Sequence, residues 1–316
     1  QLKQGVINMD KLKKVGLRAL GTALVSSAAV AGDMAVTGSA VMTFAGNDNT
    51  HTGNGWSMSD TMSFSGSGDL DNGWSVTYSH AIDGGVNDSN SIKIDTGDMG
   101  VLTFAGKGGS GPVAANDDKV PTANEESYAN TAGTKTAAAS GASGDSGFNY
   151  TLPELMENVS MEVYYLPSAA GTTSSFEYGL TYTGIDNLTV GYAGGDNETT
   201  ATATIESSNL WATYVMDSFT IGAQRNETDS QTASADSDFA GYGISYAVSD
   251  ELSVSYGIST VEHENTSKED QDAQAISFSY VSGGMTISGS AASVDNVGGT
   301  SSVDNEGYEL NVTFAF

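Results

Sequence analysis

Residues 107–147, KGGSGPVAANDDKVPTANEESYANTAGTKTAAASGASGDSG, decide how the rest of this chain is read. The stretch has neither a helical nor a strand period, and it is far longer than any other connector. Long segments of this kind inside compact proteins are either functional or disordered. On both sides of it the chain settles into short alternating strands joined by brief turns. That contrast predicts an all-β fold: a closed transmembrane antiparallel β-barrel of about 16 strands, with the long segment folded into its lumen. The barrel is expected over residues 32–316, with 107–147 as its constriction loop.

The alternation is plainest near the start. Trp56, Met58, Met62 and Phe64 share one face against Ser57, Ser59, Thr61, Ser63 and Ser65. Met34, Val36, Ala40, Met42 and Phe44 do the same before them, and Trp74, Val76, Tyr78 and Ile82 after them. A period of two marks strands with one apolar and one polar face. Further strands are predicted at 90–95 and 101–105. After the long segment they follow near 148–154, 160–166, 175–184, 188–195, 203–216, 218–226, 239–248, 252–262, 274–281, 285–294 and 307–316.

The connectors fall into two alternating sets. One is tight: DLDNG, TGDMG, MENV, IDN, DS, SDE and SGG. The other is longer and polar, around 46–55, 83–89, 107–147, 167–174, 195–202, 226–238, 263–273 and 295–306. Short turns at one end and long loops at the other are the rhythm of an outer-membrane barrel. Alternation alone fits a soluble sandwich equally well, with the apolar face turned inward. The connector rhythm and the C-terminus separate the two. In a barrel, Tyr178, Leu180, Tyr182, Tyr242, Tyr256 and Phe278 look outward, and the intervening Ser, Gly, Thr and Glu face a wet lumen.

The N-terminus reads as an export signal over residues 1–31. Met9 reads as the start, with residues 1–8 upstream of it. Lys11, Lys13 and Lys14 precede a short apolar run, Val15 to Val25, which Ala29-Val30-Ala31 closes as a small-residue cleavage site. That run is too short to span a bilayer, and no later one is long enough. A membrane location therefore demands a closed barrel. The chain has no Cys, which removes disulfide and thiolate-metal chemistry. Its formal charge is −28. Five of the eleven basic residues lie before residue 32, so the remainder is more acidic still. Such a surface repels polyanions, and nucleic acid is excluded as a partner. It attracts cations instead.

The chain ends YELNVTFAF, with Tyr308, Leu310, Val312, Phe314 and Phe316 on one face. A last strand with outward aromatics and a terminal Phe is similar to the assembly signal of outer-membrane proteins. Together with Gly32-Asp33-Met34-Ala35-Val36-Thr37-Gly38 and Gly97-Asp98-Met99-Gly100, it makes the mature chain resemble the general porins of Gram-negative bacteria, most closely the alphaproteobacterial type. The resemblance implies a sixteen-stranded homotrimer in the bacterial outer membrane, bordered by lipid and lipopolysaccharide and inserted by the barrel assembly machinery. It also implies a constriction loop after the fifth strand, which is where the long segment lies. One departure stands out. Such porins oppose their acidic loop with a cluster of Arg and Lys, and here only Lys93 and Arg225 fall in predicted strands.

Candidate functional residues follow. Asp117, Asp118, Glu125 and Glu126 would form a negative constriction that selects cations, with Lys119 and Lys135 softening the field. Lys93 would point into the pore beside them or pair with a carboxylate. Glu162, Glu177 and Glu309 lie on polar strand faces and should face the lumen. Arg225 falls by parity on the apolar face of its strand, as a rim residue. Asp60 and His80 break the apolar faces of their strands. If the DLDNG turn centres on Asp71, they are diagonal neighbours, and we expect them to pair in a subunit interface rather than face lipid.

Other motifs carry less. Gly106 to Gly111 matches GxGxxG after a strand, but a dinucleotide site needs a following helix and a βαβ unit, so it reads as the root of the loop. The three His are scattered without metal-ligand spacing. Glu269-Asp270 and Asp236-Asp238 offer oxygen ligands of the kind divalent cations take, without an EF-hand pattern. No cofactor and no enzymatic activity are expected. The expected function is a passive, cation-preferring diffusion channel for small hydrophilic solutes. The alternative is a barrel serving mainly as an acidic, adhesin-type surface.

Overall fold

The computed structural model describes residues 34–47, 54–125, 141–168, 173–200, 203–231 and 235–316. In chain order the elements are β1 (Ala35–Asn47), β2 (Trp56–Asp69), β3 (Ser75–Asp83), β4 (Val86–Asp95) and β5 (Val101–Lys107). The short β6 (Gly109–Ser110), the one-turn helix α1 (Pro112–Ala115) and the short β7 (Ser143–Gly144) follow. Then come β8 (Gly147–Thr151), β9 (Val159–Leu166), β10 (Ser175–Ile185), β11 (Leu188–Thr200), β12 (Ala203–Met216) and β13 (Phe219–Ser230). The chain finishes with β14 (Ser237–Ala247), β15 (Leu252–His263), β16 (Gln271–Ser282), β17 (Met285–Asp295) and β18 (Asn305–Ala315). All except β6 and β7 form one closed antiparallel barrel of sixteen strands, in which each strand pairs with its sequence neighbours and β1 meets β18.

Period-two alternation puts most of the apolar side chains on one side of this sheet. The result inverts a soluble protein. Tyr242, Tyr256, Ile276 and Leu310 are exposed, whereas Asn209, Gln224, Asn226 and Gln271 are buried. Buried unpaired polar groups are costly, and exposed apolar bands of this size mark contact with something other than water. An outer face turned to lipid accommodates the first set, and protein partners on the inner face meet the second. No described helix is long and apolar enough to cross a membrane, and closure leaves no strand edge unpaired, so strands can do so. Aromatic pairs occupy both ends of the outer face. Phe44 and Trp56 lie 4.8 Å apart toward the long connectors, and Phe219 stacks on Tyr246 at 4.4 Å beside a short turn. Aromatic girdles at two heights suit the two membrane interfaces.

The short turns explain themselves locally. Asn158, Asn187, Asp217 and Gly283 each adopt a positive φ. These residue types tolerate that conformation, and tight hairpins need it. Two expectations are corrected. The connector expected over 83–89 is a two-residue Gly84–Gly85 turn, with β4 beginning at Val86 and a bulge between Ala81 and Ile82. The Asp-Asn-Ser composition of 87–90 imitates a loop but sits within a strand. The turn between β2 and β3 centres on Asn72, not Asp71, because Asp69 pairs with Ser75. Gly73 takes φ +83, and the Asn72 side chain accepts from Trp74 N–H at 3.2 Å. One residue of turn slips the register by two. Met62 therefore faces Ile82 and Phe64 faces His80.

The polar face is not uniformly polar. Phe239, Val261, Ala273 and Val294 form a buried cluster near the long-connector end of β14 to β17, and Val297 packs on it. Val297 belongs to a 3-10 turn (Val297–Gly299) in the β17–β18 connector. That turn is tied down where Gly298 N–H donates to Gln271 Oε1 at 2.8 Å.

Candidate functional site

The described parts of 107–147 are structured, contrary to the expectation of no regular period. β6 pairs with β7 at the root, and α1 starts at Pro112, whose missing N–H costs nothing in a first turn. From there the chain runs along the polar face of β9 to β16. Glycines make room for it. A Cβ on Gly179 would strike Pro112, one on Gly222 would strike Pro121, and one on Gly243 would strike Val120 and Pro121.

Strand side chains then satisfy the backbone of this segment, which a run without its own ladder needs. Asn209 Nδ2 donates to Val113 O at 2.7 Å. Gln224 Nε2 donates to Asn116 O at 2.7 Å, and Asn226 Nδ2 donates to Asp117 O at 3.0 Å. Trp211 Nε1 donates to Asn116 Oδ1 at 2.9 Å. Farther along, Ala123 N–H donates to Ser255 Oγ at 2.9 Å and Asn124 N–H to Ser277 Oγ at 3.1 Å. The described part of the segment thus follows the wall from β9 to β16. Along the polar faces of β2 to β5 and β8 lies a cavity of about 580 Å3, lined by Ser63, Ser65, Ser79, Ser91, Thr103, Lys107 and Asn149 among others.

The sequence candidates fall as follows. Asp118 is exposed and pairs with Lys119 at 3.6 Å. Asp117 is held through its backbone to Asn226, and the Glu125 carbonyl accepts from Thr122 Oγ1 at 2.7 Å. Glu126 and Lys135 lie outside the described residues. Lys93 stands opposite Thr77 and Thr103 on the Ser/Thr face of β4, exposed. Glu162 and Glu309 share that face, where Glu309 accepts from Asn311 Nδ2. Glu177 shares it too but is only 1% exposed, because the segment covers it.

Two predicted relationships need correction. The basic residues in strands are Lys93, Lys107 and Arg225, since β5 extends to Lys107, whose Nζ donates to Asn87 O. Asp60 and His80 are not neighbours. The register that sets Phe64 against His80 places Asp60 beside the Gly84 turn, four positions away, so they do not pair within one chain. His80 stacks on Tyr78 instead, with ring centroids 6.4 Å apart. Arg225 lies on the outer face opposite Leu210, paired with Glu227 at 2.8 Å and Asp238 at 3.4 Å.

Sequence reasoning missed the seat of the segment. Its signal was present: Gln224 and Asn226 break a Ser/Thr/Gly face with long amides, and Gly222, Gly241 and Gly243 recur on neighbouring strands. Among the described residues, no group of three or more His, Cys, Asp or Glu could hold a metal ion.

The comparisons agree with the barrel. The anion-selective porin of Comamonas acidovorans is similar, with TM-score 0.69 and 12% identity over 90% of this chain and 100% of that one. A loop L8 deletion mutant of OmpT, an outer membrane protein of Vibrio cholerae, gives 0.68 and 12% over the same shares. OmpF of Salmonella typhi, in complex with daunomycin, gives 0.68 and 11% over 90% and 98%. At such identities these likenesses speak for the fold. No curated protein matches by sequence. A family model described as Gram-negative porin matches residues 18–298. With that match across most of its length and a closed barrel of sixteen strands, the chain belongs to the Gram-negative porins, channels of the bacterial outer membrane.

Proposed function

We propose that this porin is a passive, cation-preferring diffusion channel for small hydrophilic solutes, narrowed by segment 107–147 inside its lumen. One observation carries the reading. Among the described residues, the loop backbone bonds that reach the barrel strands beyond the loop root go to side chains on their polar faces, from Glu177 to Ser277. In a closed barrel whose apolar face meets lipid, that polar face is the lining. The lining of the cavity beside β2 to β5 offers hydroxyls around Ser63, Ser79 and Thr103, with Lys107 the one Lys or Arg among the described residues that line it. Fixed carboxylates in a narrow low-dielectric passage raise the local concentration of cations. Asp118, Glu125, Glu162 and Glu309 are the acids we assign to this field, and Lys93 and Lys119 its moderators.

We further propose a homotrimer with Asp60 and His80 in the subunit interface, each near a different level of it. The Vibrio cholerae OmpT has been described in a trimer form. Lipid and lipopolysaccharide border the remaining outer face, and Tyr308 to Phe316 serve as the assembly signal. The deciding experiment is step conductance and reversal potential of purified protein in a planar bilayer under a salt gradient. Steps with cation preference support the reading. Anion preference removes the selectivity, and silence removes the channel, leaving the adhesin-type surface.

A further inference from the structure

We propose that Glu177 is the positioning residue that sets the aperture, holding both arms of segment 107–147 with a single carboxylate; this rests on the reading that the segment narrows the lumen. Its Oε2 accepts from Val113 N–H on the outgoing arm at 2.9 Å, and its Oε1 accepts from Ala142 N–H on the returning arm. The arms also touch each other there, with Gly111 N–H donating to Ala142 O at 3.0 Å. No described Lys or Arg forms an ion pair with Glu177. Two backbone amides from opposite ends of one segment therefore meet its two oxygens.

The surroundings are shaped to this arrangement. Glu177 and Tyr164, paired across β10 and β9, are each 1% exposed. Gly111 lies against both, and a Cβ there would collide with the carboxylate and with Tyr164. Gly195 on β11 lies alongside, where a Cβ would come within 2.8 Å of Glu177 Cγ. A buried carboxylate is tolerated only while its oxygens are bonded, and buried N–H groups likewise need acceptors. The two arms and the carboxylate are thus mutually dependent. The barrel is not: β10 pairs with β9 and β11 through its backbone whatever side chain stands at 177. What Glu177 adds is two acceptors aimed at two places on one loop.

The test is single-channel recording of wild type, Glu177→Gln and Gly111→Ala in planar bilayers, with the barrel's unfolding temperature measured alongside. A glutamine offers one acceptor oxygen and turns its NH2 toward an N–H, so one arm is released. Gly111→Ala leaves every barrel-strand residue in place and pushes the outgoing arm away from Glu177 and Tyr164, and it decides the matter if the strand variant fails to fold. The expected result in both is an open level raised by about 1.5-fold with flicker, and faster liposome swelling with larger neutral sugars, at unchanged unfolding temperature. Step size and noise equal to wild type in both variants overturn the proposal. So does a fall in unfolding temperature without a change in conductance. Wild type without steps overturns the channel reading and this proposal together, whereas wild-type steps with unaltered variants overturn this proposal alone.

Discussion

Trp211 of β12 donates its indole N–H to the Asn116 side chain at 2.9 Å while its ring lies across Gly191 of β11. The glycine gives the ring its place, and the ring presents the donor. Trp211→Phe keeps the aromatic face and removes the bond, which should loosen the segment by about 1 kcal/mol. Limited proteolysis of folded protein should then cut near Asn116 roughly five times faster than in wild type. Unchanged cleavage would mean that the other tethers suffice. Gly191→Val should produce a similar loosening by displacing the ring.

The charge assignments separate by face. Lys119→Gln removes the cation paired with Asp118 and should shift the reversal potential toward stronger cation preference. Asp118→Asn should shift it the other way. Each change should alter the cation-to-anion permeability ratio by roughly twofold at 0.1 M salt and shrink toward nothing at 1 M, where screening acts within about 3 Å. A shift that ignores salt would contradict an electrostatic origin.

Arg225 supplies the contrast. Its side chain is 60% exposed on the outer face, bridging Glu227 and Asp238. Arg225→Ala should leave selectivity untouched and change stability by no more than about 0.5 kcal/mol, as exposed pairs do. A reversal-potential shift in this variant would show that the outer rim field reaches the pore.

Four positions of register separate Asp60 from His80. Alanine substitutions at the two should therefore add within about 0.5 kcal/mol in the heat stability of the assembled protein. A larger coupling energy would indicate that they meet across subunits, since the register keeps them apart within one.

The barrel closes where Phe316 N–H donates to Gly38 O at 2.9 Å and Gly38 N–H returns to Phe316 O at 3.2 Å. Removing Phe316 loses both bonds and an exposed apolar ring. Phe316→Ala loses only the ring. Deletion should lower the unfolding temperature seen by gel mobility more than substitution does, by about 1–2 kcal/mol of seam stability. Equal effects would locate the role of Phe316 in its side chain.

Strand positions were legible because a two-residue period with aromatic faces is hard to produce any other way. The expected strand 56–68 ends within one residue of β2, and the expected 239–248 lies within two residues of β14 at either end. What escaped was whatever depends on left-handed backbone or on a distant partner. Nothing in DLDNG says that Asn72 rather than Asp71 is central, yet that choice parts Asp60 from His80. The run from Asp83 to Asn90 has loop composition, and only Gly84–Gly85 turns. The apolar faces of Phe239 and Val261 could not be told from lipid-facing ones without knowing that Val297 folds over them. The candidate acids were visible as acids. That Glu177 is covered and Asp118 open follows from the path of a segment whose tethers lie on strands far along the chain.

The meeting of Gly38 with Phe316 also has a consequence for biogenesis. A ring of nearest-neighbour hairpins can grow step by step, but its closing ladder joins β1 to β18, far apart in the chain. A nascent or truncated chain therefore carries two naked β-edges, and such edges recruit other chains. Every open form of this sheet is sticky at both edges. Until β1 and β18 meet, both edges are open to other copies of this chain.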